Sequence, residues 1–227
     1  MILCVGDSFT YGNELDDRND AWPSVLDSIT DCAVVRVARP GATNSWIANK
    51  VVQKSIALKP ETVIVAWSSS DRYEFFLKEG HESECFNIND GNNIPFIKQL
   101  YSEYHNRTGK FIEWIFQAIL VQNFLENCGI KYLFVNAFAI DDIIEQNKGN
   151  PYFKEIFSYL NTEHFVGWPN ENFITWTAGL PLGPKGHFLE QGHRVVAEKL
   201  HYHLGDMLKG EQYAKRKSLA IHEASDA

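Results

Sequence analysis

Ser8 and His187 are the two residues of this chain whose types could combine in nucleophilic chemistry. Ser8 follows an apolar run, residues 2–5, that ends abruptly at Gly6-Asp7. A serine needs a general base to become a nucleophile at neutral pH, and the base is usually a histidine that the fold brings close. His187 is one of eight histidines and stands in a glycine-containing loop that leads into the last predicted helix. These positions suit a serine nucleophile with a histidine base, but a Gly-Asp-Ser after a strand is more often a plain turn with a capping serine.

The elements that must bring these two residues together are strands and helices in alternation. Strands are predicted at 2–5, 33–38, 62–67 and 131–136, with a weak candidate at 173–176. Helices are predicted at 21–29, from Asn44 or Ser45 to about 58, at 111–128, within 141–160 and at about 190–208. Apolar runs without polar alternation indicate strands that are buried on both faces, as in a parallel sheet. The sequence thus predicts a three-layer α/β/α, flavodoxin-like fold with a central parallel sheet of about four or five strands.

A single domain from residue 1 to about residue 210 accounts for this pattern. The pattern is interrupted between residues 68 and 108, where aromatic and polar residues follow no clear periodicity. An insertion of that length in a compact domain is typical of a binding loop or a lid. Residues 211–227 are mostly small and polar, and we expect them to form a disordered or loosely docked tail.

Composition and charge argue against several classes of protein. The net charge of −8 and the lack of a basic stripe argue against a nucleic-acid partner. No apolar run approaches the length of a membrane span and no signal peptide precedes Gly6, so we expect a soluble, cytoplasmic protein. The four cysteines have no CxxC spacing, which favours reduced thiols over a disulfide framework or a zinc site. The sequence leaves the oligomeric state open.

Four segments of the chain resemble the sequence blocks of the SGNH, or GDSL-type, hydrolases, in the order in which that family carries them. They are Gly6-Asp7-Ser8-Phe9-Thr10-Tyr11-Gly12, Arg39-Pro40-Gly41-Ala42-Thr43-Asn44, Trp67-Ser68-Ser69-Ser70-Asp71 and His187-x5-His193. The resemblance covers the chain to about residue 208. It implies the α/β/α fold predicted above, and it implies hydrolysis of esters without a metal ion or an organic cofactor.

The resemblance also implies a role for each matching residue. Ser8 would be the nucleophile and His187 the general base, while His193 is expected to be a structural residue of the last helix. The oxyanion hole would contain the amides of Ser8 and Gly41, with Ser70 at the position where the family has an asparagine side chain. A serine hydroxyl can donate, but its reach is shorter. Loss of one such donor typically costs roughly a hundred- to a thousandfold in rate.

A second departure from the family concerns the carboxylate that orients the histidine. The family's aspartate, three residues before the histidine, corresponds here to Pro184, which can neither ionise nor donate a hydrogen bond. Glu190, Asp7 and Asp71 are the candidate substitutes, and the sequence does not choose among them. For Asp71 we expect an ion pair with its neighbour Arg72 rather than a catalytic role.

Two hypotheses for the function follow. The first is a serine esterase that acts on small acyl esters, and aromatic residues between 67 and 76 favour O-acetyl groups on carbohydrate as the substrate; the acyl group could also pass to an alcohol. The rival is a binding or structural module that keeps the fold with impaired chemistry, which Pro184, Ser70 and the insertion motivate. The first and last blocks also resemble SGNH-like proteins of bacteriophages, which would suit either hypothesis and a virion location.

Overall fold

The computed structural model describes residues 1–76, 83–205 and 207. Its strands are, in chain order, β1 (Ile2–Gly6), β2 (Val34–Ala38), β3 (Thr62–Trp67), β4 (Tyr73–Phe76), β5 (Ser83–Phe86) and β6 (Lys131–Asn136). Its helices are α1 (Ser8–Tyr11), α2 (Trp22–Ile29), α3 (Asn44–Leu58), α4 (Pro95–Gln99), α5 (Arg107–Asn127), α6 (Asp141–Asn147), α7 (Pro151–Phe157), α8 (Phe173–Trp176) and α9 (residues 190–205). The predicted end of the last helix at residue 208 and the predicted tail at 211–227 lie outside the described residues.

The central sheet has four parallel strands in the order β2-β1-β3-β6. Ile2 of β1 pairs with Val34 of β2 and with Thr62 of β3, and Thr62 pairs in turn with Lys131 of β6. The carboxyl ends of all four strands therefore reach the same edge, and the strand order reverses at β1. Ligands bind at that point in open α/β sheets. The predicted parallel sheet is confirmed, with four strands.

Alternate residues of the strands pack into two hydrophobic cores, one on each face of the sheet. On one face, Leu3 and Val5 are fully buried in a cluster with residues of α3 and α5. On the other face, Cys4 and Ile64 are fully buried in a cluster with residues of α2 and α9. Because successive side chains of a strand point to opposite faces, an apolar run such as residues 2–5 supplies both cores. The predicted three-layer arrangement is confirmed.

The candidate fifth strand at 173–176 is wrong, because these residues form α8. The side chain of Asn172 accepts a hydrogen bond from the Thr175 N–H, and the Asn172 N–H donates to the Thr175 hydroxyl. This reciprocal pair is a capping box, which begins a helix. Phe173 and Trp176 are three positions apart and both are buried in the core beside α2 and α9. The cap and the helical spacing override the strand propensity of the short apolar run.

The insertion predicted at 68–108 contains regular structure. β4 and β5 pair in an antiparallel manner with Tyr73 opposite Phe86, and a 3-10 helix (Ile88–Asn92), α4 and a π-helix (Leu100–Tyr104) follow. The rings of Tyr73 and Tyr101 join the two parts edge to face, with centroids 5.3 Å apart. These elements are four or five residues long, too short to produce a recognisable hydrophobic period in the sequence.

His193 anchors α9 to α2. Its Nδ1 accepts a hydrogen bond from the Trp22 N–H at 3.1 Å, and its fully buried ring lies 4.5 Å from the ring of Phe188. Burial, aided by the nearby charges of His187 and Arg36, lowers the pKa of His193 from 6.5 to about 3. The imidazole is therefore neutral in the folded protein at neutral pH, in agreement with the predicted structural role.

His193 should make the protein less stable in mild acid. The unfolded chain binds a proton at His193 below about pH 6.5 and the folded chain does not, so stability should fall by about 1.4 kcal/mol per pH unit as the pH drops from 6.5 towards 3. Urea denaturation at about pH 7 and pH 5 measures this loss. His193→Asn keeps an acceptor for the Trp22 N–H without the titration, and its pH dependence should be smaller by about 2 kcal/mol over that interval. Equal pH dependence in both proteins would contradict the prediction.

Candidate active site

Ser8 is the first residue of α1, and a tight turn with Asp7 as its single intervening residue separates it from the carboxyl end of β1. The side chain of Asp7 caps this short helix by accepting a hydrogen bond from the Phe9 N–H at 3.1 Å. Gly6 permits the turn, since a Cβ at this position would lie 2.1 Å from the Thr10 Oγ1. Ser8 itself is only 4% exposed. The turn therefore fixes the serine at the carboxyl edge of the sheet.

His187 lies in a tight loop that precedes α9. The Gly183 N–H donates to the His187 carbonyl at 2.8 Å and closes the loop. The ring of Phe188 stacks on the ring of Phe9 with centroids 4.8 Å apart, and the His187 ring lies 5.0 Å from the same Phe9 ring. Because Phe9 directly follows Ser8 in the chain, these contacts bring the histidine loop against the serine turn.

The carboxylate that contacts His187 belongs to Glu14. Its Oε2 lies 2.7 Å from the His187 Nδ1 and also accepts from the His187 N–H at 3.1 Å. Its Oε1 accepts from the Lys185 N–H at 2.7 Å. Desolvation alone would raise the pKa of Glu14, but the hydrogen bonds from Lys185 and His187 outweigh it and lower the pKa below its ordinary value. An ionised carboxylate is thus present at the ring nitrogen, although Pro184 occupies the family's aspartate position.

The backbone around Glu14 is arranged to hold this carboxylate in place. Glu14 has a φ of 70°, in the left-handed region, where a residue other than glycine typically costs about 1–3 kcal/mol. Gly183 permits the close approach, since a Cβ there would lie 2.8 Å from the Glu14 Oε1. Arg36 of β2 donates to the carbonyls of Tyr11 and Arg18, on either side of Glu14, at 3.3 and 3.0 Å. Strain that is held by such contacts is typical of functional sites.

A buried ion pair joins the loop after β1 to the loop after β3. Asp7 is fully buried, and its Oδ2 accepts from the Arg72 Nη1 at 3.0 Å and from the Ser68 hydroxyl at 2.8 Å. The Arg72 Nη1 also donates to the Ala42 carbonyl at 2.9 Å, in the loop after β2. The predicted ion pair between Asp71 and Arg72 is wrong, because Arg72 pairs with Asp7 instead.

The other two carboxylates predicted to orient the histidine also have different surroundings. The Asp71 Oδ1 lies 3.4 Å from the His105 Nε2, and Glu190 is exposed at the first residue of α9. Within the described part of the chain, the carboxylate that hydrogen-bonds His187 is Glu14, which corrects the expectation of Asp7, Asp71 or Glu190. The sequence spacing could not single out Glu14, because 173 positions separate it from His187. Its place in an acidic loop directly after the serine block was the only available signal.

Gly41 and Ser70, the other predicted oxyanion residues, lie on the loops after β2 and β3. Gly41 has a φ of 75°, which suits glycine. Asn44 ties these two loops together, since its side chain accepts from the Ser68 N–H at 2.8 Å and donates to the Ser68 carbonyl at 3.0 Å. Ser70 lines a small cleft beside α5, whereas its neighbour Ser69 lines the cavity that contains His187. This placement makes Ser70 poorly suited to meet a substrate.

His187 lines an open cavity of about 440 Å³ at the carboxyl edge of the sheet. The insertion contributes one wall of this cavity with Asn87, Ile88, Asn89 and Tyr101. Phe9 and Phe138, which follow β1 and β6, contribute apolar surface to it. Of the aromatic residues that favoured carbohydrate, Trp67 is fully buried in the core and Phe76 is 70% exposed. The aromatic wall of the cavity therefore comes from other positions than the sequence suggested.

The described residues contain no cluster of three or more histidine, cysteine, aspartate or glutamate side chains that could hold a metal ion. The four cysteines, Cys4, Cys32, Cys85 and Cys128, are unpaired thiols. None of the described helices is both long and apolar enough to cross a bilayer.

Solved structures of SGNH-type enzymes share this fold. A candidate lipolytic protein of the G-D-S-L family from Desulfitobacterium hafniense DCB-2 has a TM-score of 0.53 and 15% identity, over 88% of this chain and 97% of that chain. A carbohydrate esterase family 2 enzyme with a carbohydrate-binding domain, from Corynascus thermopiles (Myceliophthora fergusii), has a TM-score of 0.53 and 14% identity, over 92% of this chain and 66% of that chain. A two-domain esterase active on acetylated mannans has a TM-score of 0.50 and 15% identity, over 90% of this chain and 48% of that chain.

No protein-family model and no curated protein sequence matches the chain. The structural likeness establishes the fold: this chain has the α/β/α fold of the SGNH hydrolases, with the strand order and the helical layers described above. The resemblance seen in the four sequence blocks is thereby confirmed at the level of the fold.

Replacement of Glu14 by alanine should loosen the loop that carries His187. The amides of Lys185 and His187 lose their acceptor, so their hydrogen exchange should accelerate about tenfold, as expected for the loss of a hydrogen bond to a charged group. Exchange measured by NMR tests this prediction. Asp16→Ala, an exposed change in the same loop, is the matched control and should leave both rates as they are. Unchanged exchange in Glu14→Ala would show that the carboxylate does not hold the loop.

Proposed function

We propose that this protein is a serine ester hydrolase in which Ser8 is the nucleophile, His187 the general base and Glu14 the residue that positions the base. The 2.7 Å contact between the Glu14 Oε2 and the His187 Nδ1 carries the proposal. A carboxylate at Nδ1 holds the ring proton there, leaves Nε2 free to take the serine proton, and stabilises the imidazolium that forms. With Glu14 in this role, Pro184 does not leave the histidine without a partner.

The reaction would proceed through an acyl-enzyme. The Ser8 Oγ forms a bond to the ester carbonyl carbon while its proton passes to the His187 Nε2. The tetrahedral intermediate then breaks its bond to the alcohol, which leaves with that proton. A water molecule attacks the acyl-enzyme by the same route and releases the carboxylic acid. The amides of Ser8 and Gly41 would donate hydrogen bonds to the oxyanion in both steps.

For the substrate, we propose small acyl esters on carbohydrate, with O-acetyl groups as the first choice. The amide side chains of Asn87 and Asn89 can donate to and accept from sugar hydroxyls, and the ring of Tyr101 offers an apolar face beside them. Two structures of the same fold are carbohydrate esterases, one of them active on acetylated mannans. Transfer of the acyl group to an alcohol would use the same acyl-enzyme, with the alcohol in place of water.

The rival hypothesis, a binding or structural module, rests on the departures at Pro184 and Ser70. The contact between Glu14 and His187 weakens the argument from Pro184, because Glu14 supplies the carboxylate that the proline lacks. A cytoplasmic or virion location, the lack of a nucleic-acid partner and the division into one domain with a tail stay predictions from the sequence.

A fluorophosphonate probe should label the wild-type protein once, on Ser8. Activation of this serine by His187 is the physical basis, so Ser8→Ala should give no adduct and His187→Ala should label at least about a thousandfold more slowly. Intact-mass spectrometry measures both the adduct and its rate of formation. Ser28→Ala and His201→Ala, changes of exposed residues on α2 and α9, are the matched controls and should label like the wild type.

Turnover should accompany the labelling. We expect Ser8-dependent release of acetate from O-acetylated oligosaccharides. An enzyme-coupled acetate assay measures this release. Folded wild-type protein that neither takes the probe nor releases acetate from any acetyl ester would support the binding module instead.

A further inference from the structure

We propose that Arg72 supplies the third donor of the oxyanion hole, where the family has an asparagine side chain and this chain has Ser70. The inference rests on the proposed function, because it assigns a catalytic role within the same reaction. Three observations support it: the anchoring of Arg72, its unused donors, and the charge of its partner Asp7.

The guanidinium of Arg72 lies where the loops that carry the nucleophile and the oxyanion residues meet. Its Nη1 donates to the Asp7 Oδ2 at 3.0 Å, to the Ala42 carbonyl at 2.9 Å and to the Ser68 hydroxyl at 2.5 Å. Asp7 precedes Ser8, and Ala42 follows Gly41. The guanidinium is therefore held by the immediate neighbours of both amide donors.

Arg72 has hydrogen-bond donors left for a substrate. A guanidinium carries five N–H groups, of which Nη1 holds two and shares them among its three acceptors. The Nε and Nη2 groups, which hold the other three, have no hydrogen-bond partner among the described residues. The side chain is 12% exposed and lines both the cavity that contains His187 and the small cleft beside α5, whereas Ser70 lines only that cleft. A carbonyl oxygen in that cavity has an unused cationic donor beside it.

The charge of Asp7 makes a cationic donor at this place favourable. Asp7 is fully buried beside the nucleophile, and an unpaired carboxylate there would repel the negative charge that develops on the carbonyl oxygen. Arg72 cancels that charge and adds N–H groups that a neutral serine hydroxyl does not have. Preorganised donors of this kind stabilise the transition state more than the bound substrate.

The test compares Arg72→Met with the double change Arg72→Met and Asp7→Asn, using kcat and KM for Ser8-dependent acetate release. If Arg72 is an oxyanion donor, both variants should lose about a hundred- to a thousandfold in kcat with little change in KM. The double variant also covers the case in which Arg72→Met fails to fold, because it removes the unpaired buried carboxylate. Arg194→Met, a change at an exposed position of α9, is the control for the loss of an arginine and should keep the wild-type kcat.

A purely structural role predicts a different pattern. If Arg72 serves only to neutralise or hold Asp7, the double variant should recover to within about tenfold of the wild-type kcat. That recovery would overturn the assignment of Arg72 and leave the proposed function intact. A wild-type protein without Ser8-dependent turnover would instead overturn the proposed function itself, so the two failures are distinguishable. Partial activity in Arg72→Lys, above that of Arg72→Met, would support a cationic donor.

Discussion

The contact between Glu14 and His187 is the interaction on which the rest of the candidate site depends. It joins the first loop of the fold to the last, and one carboxylate holds two backbone amides and a ring nitrogen. The left-handed backbone of Glu14 and the missing side chain at Gly183 both serve this approach. The same carboxylate therefore shapes the loop and orients the ring within it. In the family pattern an aspartate inside the histidine loop contacts the ring, whereas in this chain a carboxylate from a distant loop makes that contact.

A second buried contact, between Asp7 and Arg72, organises the opposite side of the serine turn. A buried carboxylate is costly unless it is paired and hydrogen-bonded, and Asp7 meets both conditions through Arg72, Ser68 and the Phe9 N–H. Together the two contacts connect the loops after β1, β2 and β3 with the loop before α9. The parallel sheet makes this possible, since it delivers the carboxyl ends of its strands to one edge.

The sequence predicted those elements of the fold that have a long, local hydrophobic pattern. The apolar runs at 62–67 and 131–136 match β3 and β6 residue for residue, because strands buried on both faces carry an uninterrupted apolar pattern. The run at 173–176 was too short to separate a strand from a helix, and the capping box of Asn172 and Thr175 decided it. The helices and strands of the insertion are only four or five residues long, so they show no hydrophobic periodicity in the sequence.

The residues of the candidate site also fall into two groups, those with a local sequence pattern and those without one. Ser8, Gly41 and His187 sit in blocks whose local spacing resembles a known pattern, so their placement at the sheet edge could be predicted. Glu14 and Arg72 act through contacts with residues that are distant in the sequence, and both are polar residues in loops, where most such residues are solvated. Only the packing of the loops shows which carboxylate meets the histidine and which cation meets Asp7.

The central claim is tested most directly by fluorophosphonate labelling rates. The two variants to compare are Glu14→Ala and the double variant Glu14→Ala with Pro184→Asp. The account predicts that Glu14→Ala labels roughly a thousand- to ten-thousandfold more slowly than the wild type, because His187 loses its orienting carboxylate. It also predicts that adding Pro184→Asp, which places a carboxylate at the position used by the family, raises the labelling rate of Glu14→Ala at least about tenfold. A folded Glu14→Ala variant that labels as fast as the wild type would contradict the account.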